Sequence, residues 1–360
     1  MNKIDVVVPP RFTYATFDGL RGVAALAVIV FHLAYRAEWP QLLPRGYLAV
    51  DLFFALSGFV IAQAYSARLQ TGMGLFQFTA MRLVRLYPLF FLGQLLGLIV
   101  FALHGYDMTA LLKAFIAGIV LVPWPITVGN VPPIFPLNGP SWSLFFEIAV
   151  NIAFAAVITV LSRKLLFALA VVSGLALAGT AAHFGSLHVG WNPQNFIGGV
   201  PRVTFSFVIG ILILRFAPKV KLGSTVPLLL ALAIIPILAA GPRKWWIDLG
   251  VVTFIFPALV YYAASWQPTG PIKLVAQWLG RISYPLYIIH MPALYFASAV
   301  VAKWELSGAD KAVVFAATVL GTILISALLP RFYDEPIRRA ASKMINRNTA
   351  RSEAGASSAF

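Results

Sequence analysis

The sequence has 360 residues, of which 60% are hydrophobic and only 11% are charged, whereas a soluble domain carries about 25% charged residues. Its formal net charge is +15, but the basic residues lie in short segments between apolar runs, where lysine and arginine orient a membrane protein. This composition predicts one membrane domain and argues against nucleic acid as a partner. The chain contains no cysteine, which excludes disulfide bonds and a cysteine nucleophile; we predict no metal site and no bound cofactor.

Apolar runs long enough to cross a hydrocarbon core of about 30 Å recur along the chain. We predict ten spans, at residues 17–36, 46–65, 82–103, 141–162, 165–183, 203–216, 225–241, 246–264, 283–302 and 312–332. The predicted fold is all-α, a polytopic membrane bundle of about ten transmembrane helices over residues 17–337, between a cytoplasmic segment (1–16) and a basic cytoplasmic tail (338–360) expected to be disordered. A cleaved signal peptide is the alternative for residues 23–35, but no cleavage site followed by a soluble domain comes after them.

The distribution of basic residues predicts the orientation of the bundle. An eleventh apolar stretch, residues 110–122, is short and leads into a proline-rich segment, so we interpret it as re-entrant or interfacial. With ten spans, 19 of the 27 lysines and arginines lie on the side of the N-terminus and seven on the other, with Lys113 unassigned. This bias predicts that both termini are cytoplasmic.

Ionisable residues inside the spans are site candidates, because each costs about 2.5 to 3.5 kcal/mol at mid-depth. In the first span, Arg21 and His32 are eleven residues apart, which places them within about 20° of one helix face and about 16 Å apart in depth. The second span carries Asp51, and the third begins with Arg82 and Arg85, whose guanidinium groups suit phosphate.

Further polar residues follow in the later spans. Ser143 and Glu147 are four residues apart and share a face of the fourth span, and His290 lies within the ninth. Arginines at the cytoplasmic end suit an anionic donor made in the cytoplasm. A histidine with the carboxylates Asp51 and Glu147 toward the outer end suits general-base activation of a hydroxyl.

Structural interpretations of the same residues stay open at this point. Arg21 and His32 could snorkel to opposite head-group regions, and Gly58 of the second span could serve helix packing. The arginine pair of the third span could be an orientation signal only. His290 could be a hydrogen-bonded core histidine.

Five motifs in order along the whole chain resemble the acyltransferase 3 family, the transmembrane acyltransferases that decorate O-antigens, exopolysaccharides, peptidoglycan, Nod factors and some antibiotics. The motifs are Phe17-Asp18-Gly19-Leu20-Arg21-Gly22 with His32, Gly46-Tyr47 to Asp51 and on through Ser57-Gly58-Phe59, Arg82-Leu-Val-Arg85-Leu-Tyr87-Pro88, Ser141-Trp142-Ser143 to Glu147, and Ser283-Tyr284-Pro285-Leu-Tyr287-Ile-Ile-His290. Some relatives carry a fused extracytoplasmic SGNH hydrolase-like domain, which this sequence lacks. Acceptor handling is therefore expected of the membrane domain or of a partner.

The resemblance implies a ten-span fold and an acyl-CoA donor, with acetyl-CoA as the expected co-substrate. It implies functional roles for Arg21 and His32 and for the paired arginines Arg82 and Arg85. We expect these arginines to bind the coenzyme A phosphates while His32 deprotonates the acceptor hydroxyl. The side chains Glu147 or Asp51 would fix the His32 tautomer.

Other residues of the same motifs are expected near the site, namely Asp18, Ser57, Gly58, Ser143 and Tyr287. Direct transfer is the simpler mechanism, and an acyl-enzyme on His32, His290 or a serine such as Ser57 stays open. The expected partners are the acyl-CoA, a carbohydrate or glycolipid acceptor, membrane lipid and proteins of polysaccharide assembly. The expected location is the inner membrane of a bacterium.

Two other functions fit part of the pattern. A proton-coupled exporter or flippase of a sugar or glycolipid would also need His, Asp and Glu along a polar path, but not an arginine pair at the cytoplasmic end. A scaffold for polysaccharide assembly leaves Glu147 and His32 unexplained. The sequence therefore favours a membrane O-acyltransferase.

The predicted orientation can be tested with reporter fusions. Fusions after Gly223 and after Phe360 should report the cytoplasm, and a fusion after Asn192 should report the outside, because the bias of basic residues sets both termini inside. An extracytoplasmic reporter at Phe360 would contradict the ten-span assignment.

Overall fold

The computed structural model describes residues 13–39, 41–123, 133–216, 219–241 and 243–344. The predictions for residues 1–12 and for the tail from 345 to 360 lie outside this part of the chain. Within the described ranges, the α-helices are α1 (Ala15–Arg36), α2 (Ala49–Gln70), α3 (Leu75–Leu103), α4 (Met108–Ile119), α5 (Ser141–Val157), α6 (Arg163–Phe184), α7 (Gly199–Arg215), α8 (Thr225–Ala239), α9 (Trp245–Gly250), α10 (Phe256–Ser265), α11 (Gly270–Lys303) and α12 (Gly308–Leu329). Five-residue π-helical turns, Val251–Ile255 and Pro330–Asp334, follow α9 and α12.

The predicted fold class is confirmed, since the chain is an all-α polytopic membrane protein. In the described ranges, eight helices are long and apolar enough to cross a membrane, with α9, its π-helical turn and α10 counting as one helix. Two predicted spans form shorter helices, Ser141–Val157 and Thr225–Ala239, and the stretch predicted as re-entrant or interfacial overlaps the 12-residue helix Met108–Ile119. The number of ten spans stays a prediction.

Several helices extend beyond the predicted spans. Helix α3 begins at Leu75, before the predicted start at residue 82, and α11 has 34 residues. The last helical run, Gly308–Met344, passes the predicted boundary at residue 337, so residues 338–344 are helical and not disordered. Ion pairs one turn apart, Arg338 with Asp334 and Arg339 with Glu335, stabilise this polar end. Hydropathy marks only the apolar part of such a helix.

Helix α1 lies in the interior of the bundle and packs along α11, with further contacts to α2, α8 and α10. Its side chains Phe17, Leu20 and Val28 are fully buried. The two short strands β1 (Lys221–Leu222) and β2 (Trp266–Gln267) pair in parallel. Thr16 at the start of α1 bonds to Gln267 and to the carbonyl of Trp266. This network holds the first turn of α1, so the polar groups of that helix have fixed positions.

Helices α2 and α7 cross at very close range. A Cβ atom added to Gly58 would lie 2.0 Å from the carbonyl oxygen of Phe207, and one added to Gly210 would lie 2.0 Å from that of Ala55. Two helices of a membrane bundle approach this closely only through small residues. Gly58 therefore serves helix packing against the backbone of α7.

Candidate active site

A cavity of about 590 Å³ opens among α1, α2, α3, α5, α11 and the polar end of the last helical run. This volume lies within the range of about 300 to 1,000 Å³ for ligand sites. The cavity gathers seven of the predicted site residues, namely Arg21, Ser57, Arg82, Arg85, Ser143, Glu147 and Tyr287. We call it the arginine cavity, because five arginines line it, the other two being Arg281 and Arg338.

Positively charged side chains outnumber negatively charged ones in the lining of the arginine cavity. Three carboxylates, Glu147, Asp334 and Glu335, line it together with its five arginines, so the formal charge is positive by two. Within the described ranges, Arg85 and Arg281 form no ion pair. Both residues line the cavity and are exposed. The cavity is therefore suited to an anionic ligand with more than one negative charge.

Glu147 lies at the centre of a small polar network. Its Oε1 accepts a hydrogen bond from the hydroxyl of Ser57 at 3.1 Å and forms an ion pair with Nη2 of Arg82 at 3.2 Å. Arg82 and Glu147 keep part of their side-chain surface accessible, 11% and 26%. The pair is therefore open to competition by a ligand that enters the cavity.

Two further ion pairs border the cavity. Arg21 pairs with Asp18 at 3.1 Å, and both side chains are about a quarter exposed. Arg338 pairs with Asp334 at 2.9 Å. Arg338 was predicted to belong to a disordered tail, and the sequence offered no signal for its position, because it enters the site through the continuation of the last helix. Arg281 lies two residues before the motif that begins at Ser283 and was not among the predicted site residues.

Two predicted residues of the cavity lining form a hydrogen bond with each other. The hydroxyl groups of Ser143 and Tyr287 are 2.7 Å apart, and Ser143 also donates to the carbonyl of Pro140. The ring of Tyr287 contacts the ring of His290, with centroids 5.8 Å apart. Tyr287 therefore lies between the arginine cavity and the histidines.

His32 and His290 form a direct pair between α1 and α11. Nε2 of His290 lies 3.1 Å from Nδ1 of His32, and Nδ1 of His290 lies 3.2 Å from the carbonyl oxygen of Leu286. The prediction that Glu147 or Asp51 orients His32 is wrong in this structure. Both carboxylates bind arginines, and in the described ranges no carboxylate lies within ion-pair distance of either histidine ring. His32 is partly exposed, whereas His290 is buried.

Asp51, predicted as a catalytic candidate, is enclosed by Arg202. The guanidinium binds both carboxylate oxygens, Nε to Oδ1 at 3.1 Å and Nη2 to Oδ2 at 2.5 Å, and neither side chain is exposed. Arg202 also donates to the carbonyls of Val189 and Tyr47. Asp51 has no free oxygen facing the cavity, so its position is that of a structural clamp.

A second buried ion pair was not predicted. Arg45 binds Asp248 at 3.2 Å with both side chains buried, and Asp248 also accepts from the hydroxyl of Tyr47 at 2.6 Å. The two partners are about 200 residues apart in sequence, so no local sequence pattern predicts their contact.

In the loop between α6 and α7, His188 stacks on the rings of Tyr47 and Trp191. Burial, with help from Arg202 and Arg243, lowers the pKa of His188 to about 3, so its ring is neutral.

Within the described ranges, no group of three or more His, Asp or Glu side chains is placed to hold a metal ion. The ionisable groups of the site therefore fall into two sets. Arginines with Glu147 line the cavity, and a histidine pair lies beyond Tyr287.

Comparison with known proteins gives a family match over nearly the whole chain. The profile of the acyltransferase 3 family, described as an acyltransferase domain, matches residues 14–330. The chain is 37% identical over 194 residues to protein 2 in the picA locus of Rhizobium radiobacter, a match that covers 49% of this chain and 97% of that protein. It is 26% identical over 377 residues to the O-acetyltransferase OatA of Staphylococcus aureus, covering 95% of this chain and 60% of OatA. No solved structure matches the chain significantly.

The structural role of Asp51 leads to a stability prediction. Asp51→Asn should destabilise the protein by about 3 to 5 kcal/mol, because it leaves the buried Arg202 charge without a counter-ion. Thermal unfolding in detergent measures the loss. The exposed Asp310→Asn serves as control and should change stability by less than about 0.5 kcal/mol. A folded Asp51→Asn protein of normal stability that has lost acyl transfer would contradict the structural role.

Proposed function

The chain belongs to the acyltransferase 3 family, and we propose that it transfers an acyl group, expected to be acetyl, from acyl-CoA to a hydroxyl of an envelope carbohydrate. Family membership makes it an acyltransferase and displaces the exporter alternative. O-Acetylation is the activity named for OatA, of whose length the match covers 60%. The proposed identities of the acyl donor and of the acceptor are supported by the chemistry of the site.

The main support for acyl-CoA as the donor is the excess of positive charge in the lining of the arginine cavity. Coenzyme A has a diphosphate and a 3′-phosphate, and guanidinium groups bind such oxygens through two parallel hydrogen bonds. Arg85 and Arg281 form no ion pair in the described part of the chain and are exposed. They are therefore the first groups available to the phosphates, with Arg21, Arg82 and Arg338 beside them.

The apolar lining of the cavity suits the rest of the donor. Phe53, Leu144 and Pro285 line it, and the ring of Phe53 contacts the ring of Tyr287. An acyl-pantetheine arm that extends past these side chains brings the thioester toward Tyr287, and thus toward the histidine pair. The Ser143–Tyr287 contact must open or shift for the thioester to pass.

His32 is the proposed general base. Its ring is partly exposed, and no carboxylate of the described ranges neutralises it. In the simpler mechanism, His32 accepts the proton of the acceptor hydroxyl as that oxygen attacks the thioester carbonyl. The carbon–sulfur bond then breaks, and the coenzyme A thiolate leaves and takes up a proton. Transfer is direct, with no acyl-enzyme.

The proposed orientation puts the arginine cavity on the cytoplasmic side and the histidine pair toward the opposite side. Acyl-CoA is made in the cytoplasm, so the donor would enter from the end at which α1 begins. The acceptor, an envelope carbohydrate or glycolipid, would approach from the other end. We propose the inner membrane of a bacterium as the location, with polysaccharide-assembly proteins as partners.

Donor binding tests this function. Replacing both Arg82 and Arg85 with Gln should weaken the binding of acetyl-CoA by about 10- to 100-fold for each arginine, because a charge-assisted hydrogen bond is worth about 1.5 to 3 kcal/mol. Arg338→Gln should also weaken it. The loss should shrink with acetyl-dephospho-CoA, which lacks the 3′-phosphate, if these arginines bind that group.

The matched control is Arg339→Gln, because Arg339 follows Arg338 but is exposed and pairs with Glu335 instead. It should bind acetyl-CoA with wild-type affinity. Unchanged affinity in a correctly inserted Arg82→Gln, Arg85→Gln protein would refute the assignment of the cavity to the donor.

A further inference from the structure

The hydrogen bond between His290 and His32 bears on which ring nitrogen of His32 carries the proton. We infer that His290 is a positioning residue, which holds His32 in the tautomer that carries its proton on Nδ1 and its lone pair on Nε2. This inference rests on the proposed role of His32 as the base that accepts the hydroxyl proton. It assigns to His290 the orienting task that a carboxylate performs in many catalytic sites.

The carbonyl of Leu286 determines which ring nitrogen of His290 carries the proton. A backbone carbonyl oxygen can only accept a hydrogen bond, so Nδ1 of His290, 3.2 Å away, must carry the proton of that bond. A neutral imidazole has one N–H group and one lone pair. In neutral His290 the lone pair is therefore on Nε2, the atom that faces His32.

The proton of His32 follows from this arrangement. The contact between the rings is 3.1 Å from Nε2 of His290 to Nδ1 of His32, and one of the two atoms must donate. Because Nε2 of His290 carries the lone pair, Nδ1 of His32 donates. Neutral His32 then has its own lone pair on Nε2. The opposite arrangement, with Nε2–H on His290, would direct the lone pair of its Nδ1 at the Leu286 carbonyl oxygen 3.2 Å away, or require a charged His290.

The surroundings of the pair fit a fixed orienting group and an accessible base. His290 is 1% exposed, and both of its ring nitrogens are occupied, by Leu286 and by His32. It has no nitrogen left to act as nucleophile or base. His32 is partly exposed, and its Nε2 forms no hydrogen bond to another side chain in the described ranges.

Charged groups near the pair do not take over the orienting role. Arg36 lies one turn after His32 on α1, and its guanidinium stacks on the ring of Tyr295 at 4.5 Å. It repels a proton on either ring and cannot accept one. Glu147 and Asp51 bind Arg82 and Arg202. The His32 ring also has a hydrogen bond with the backbone of Val28, and the one acceptor that the described residues offer to its Nδ1–H from another side chain is His290.

Two substitutions of His290 distinguish a role in orienting His32 from a role in packing alone. Gln at position 290 places an amide oxygen near the site of Nε2 and can accept from His32, whereas Met has similar size and only a weak sulfur acceptor. In membranes supplied with labelled acetyl-CoA and envelope carbohydrate from a deletion strain, His290→Gln should retain transfer within a few-fold. His290→Met should lower kcat by about 10²-fold, the order expected when a catalytic group is misplaced by about 1 Å. The KM for acetyl-CoA should stay unchanged in both variants.

The outcomes distinguish this inference from the proposed function. Wild-type kcat in a folded His290→Met protein would overturn the positioning role and leave the donor and base assignments intact. A folded His290→Gln protein as inactive as His32→Ala would also overturn it, because His290 would then take part in the chemistry. Failure of the proposed function would instead show as wild-type transfer in His32→Ala.

A measurement on the unmodified protein covers the case in which the variants fail to fold. The chain has only five histidines, so ¹⁵N chemical shifts of histidine-labelled protein in lipid nanodiscs can be assigned by comparison with His32→Ala. His32 should show a protonated Nδ1 and an unprotonated Nε2, with a hydrogen bond to His290. Detection of His32 with its proton on Nε2 would overturn the inference without any activity assay.

Discussion

An ionised side chain inside a membrane bundle needs a partner, and the organisation of this protein depends on how its buried charges are paired. An unpaired charge in such a place costs several kcal/mol. The pairs Asp51–Arg202 and Arg45–Asp248 are buried and supplemented by backbone or hydroxyl groups. They join α2 to α7 and join α9 to the loop that follows α1.

The pair Arg82–Glu147 differs from these two in its accessibility. It borders the arginine cavity, and both side chains remain partly exposed. Phosphate oxygens can therefore replace Glu147 as the partner of Arg82, which a fully enclosed pair would not allow. Exposure to the cavity, more than the type of residue, separates the charges proposed to bind substrate from those that hold the fold.

The sequence predicted the fold class and seven residues of the cavity lining, because both are marked by local signals. Apolar runs mark helices, and polar residues within them mark sites. The tertiary partners of these polar residues could not be predicted from local signals. Asp51 meets Arg202 from 151 residues away, so its catalytic interpretation could be corrected only by the tertiary structure. The contact between His32 and His290, separated by 258 residues, is of the same kind. Arg338 was missed because the last helix continues beyond its apolar part.

The proposed donor site and the proposed base lie in two separate parts of one site. Acetyl-CoA affinity and acetyl transfer, both measured on the same purified His32→Ala protein, test this separation. We expect an affinity near that of the wild type and transfer reduced by about 10² to 10⁴, the usual contribution of a positioned base. Wild-type transfer by a folded, monodisperse His32→Ala protein would refute the role of His32 as the base.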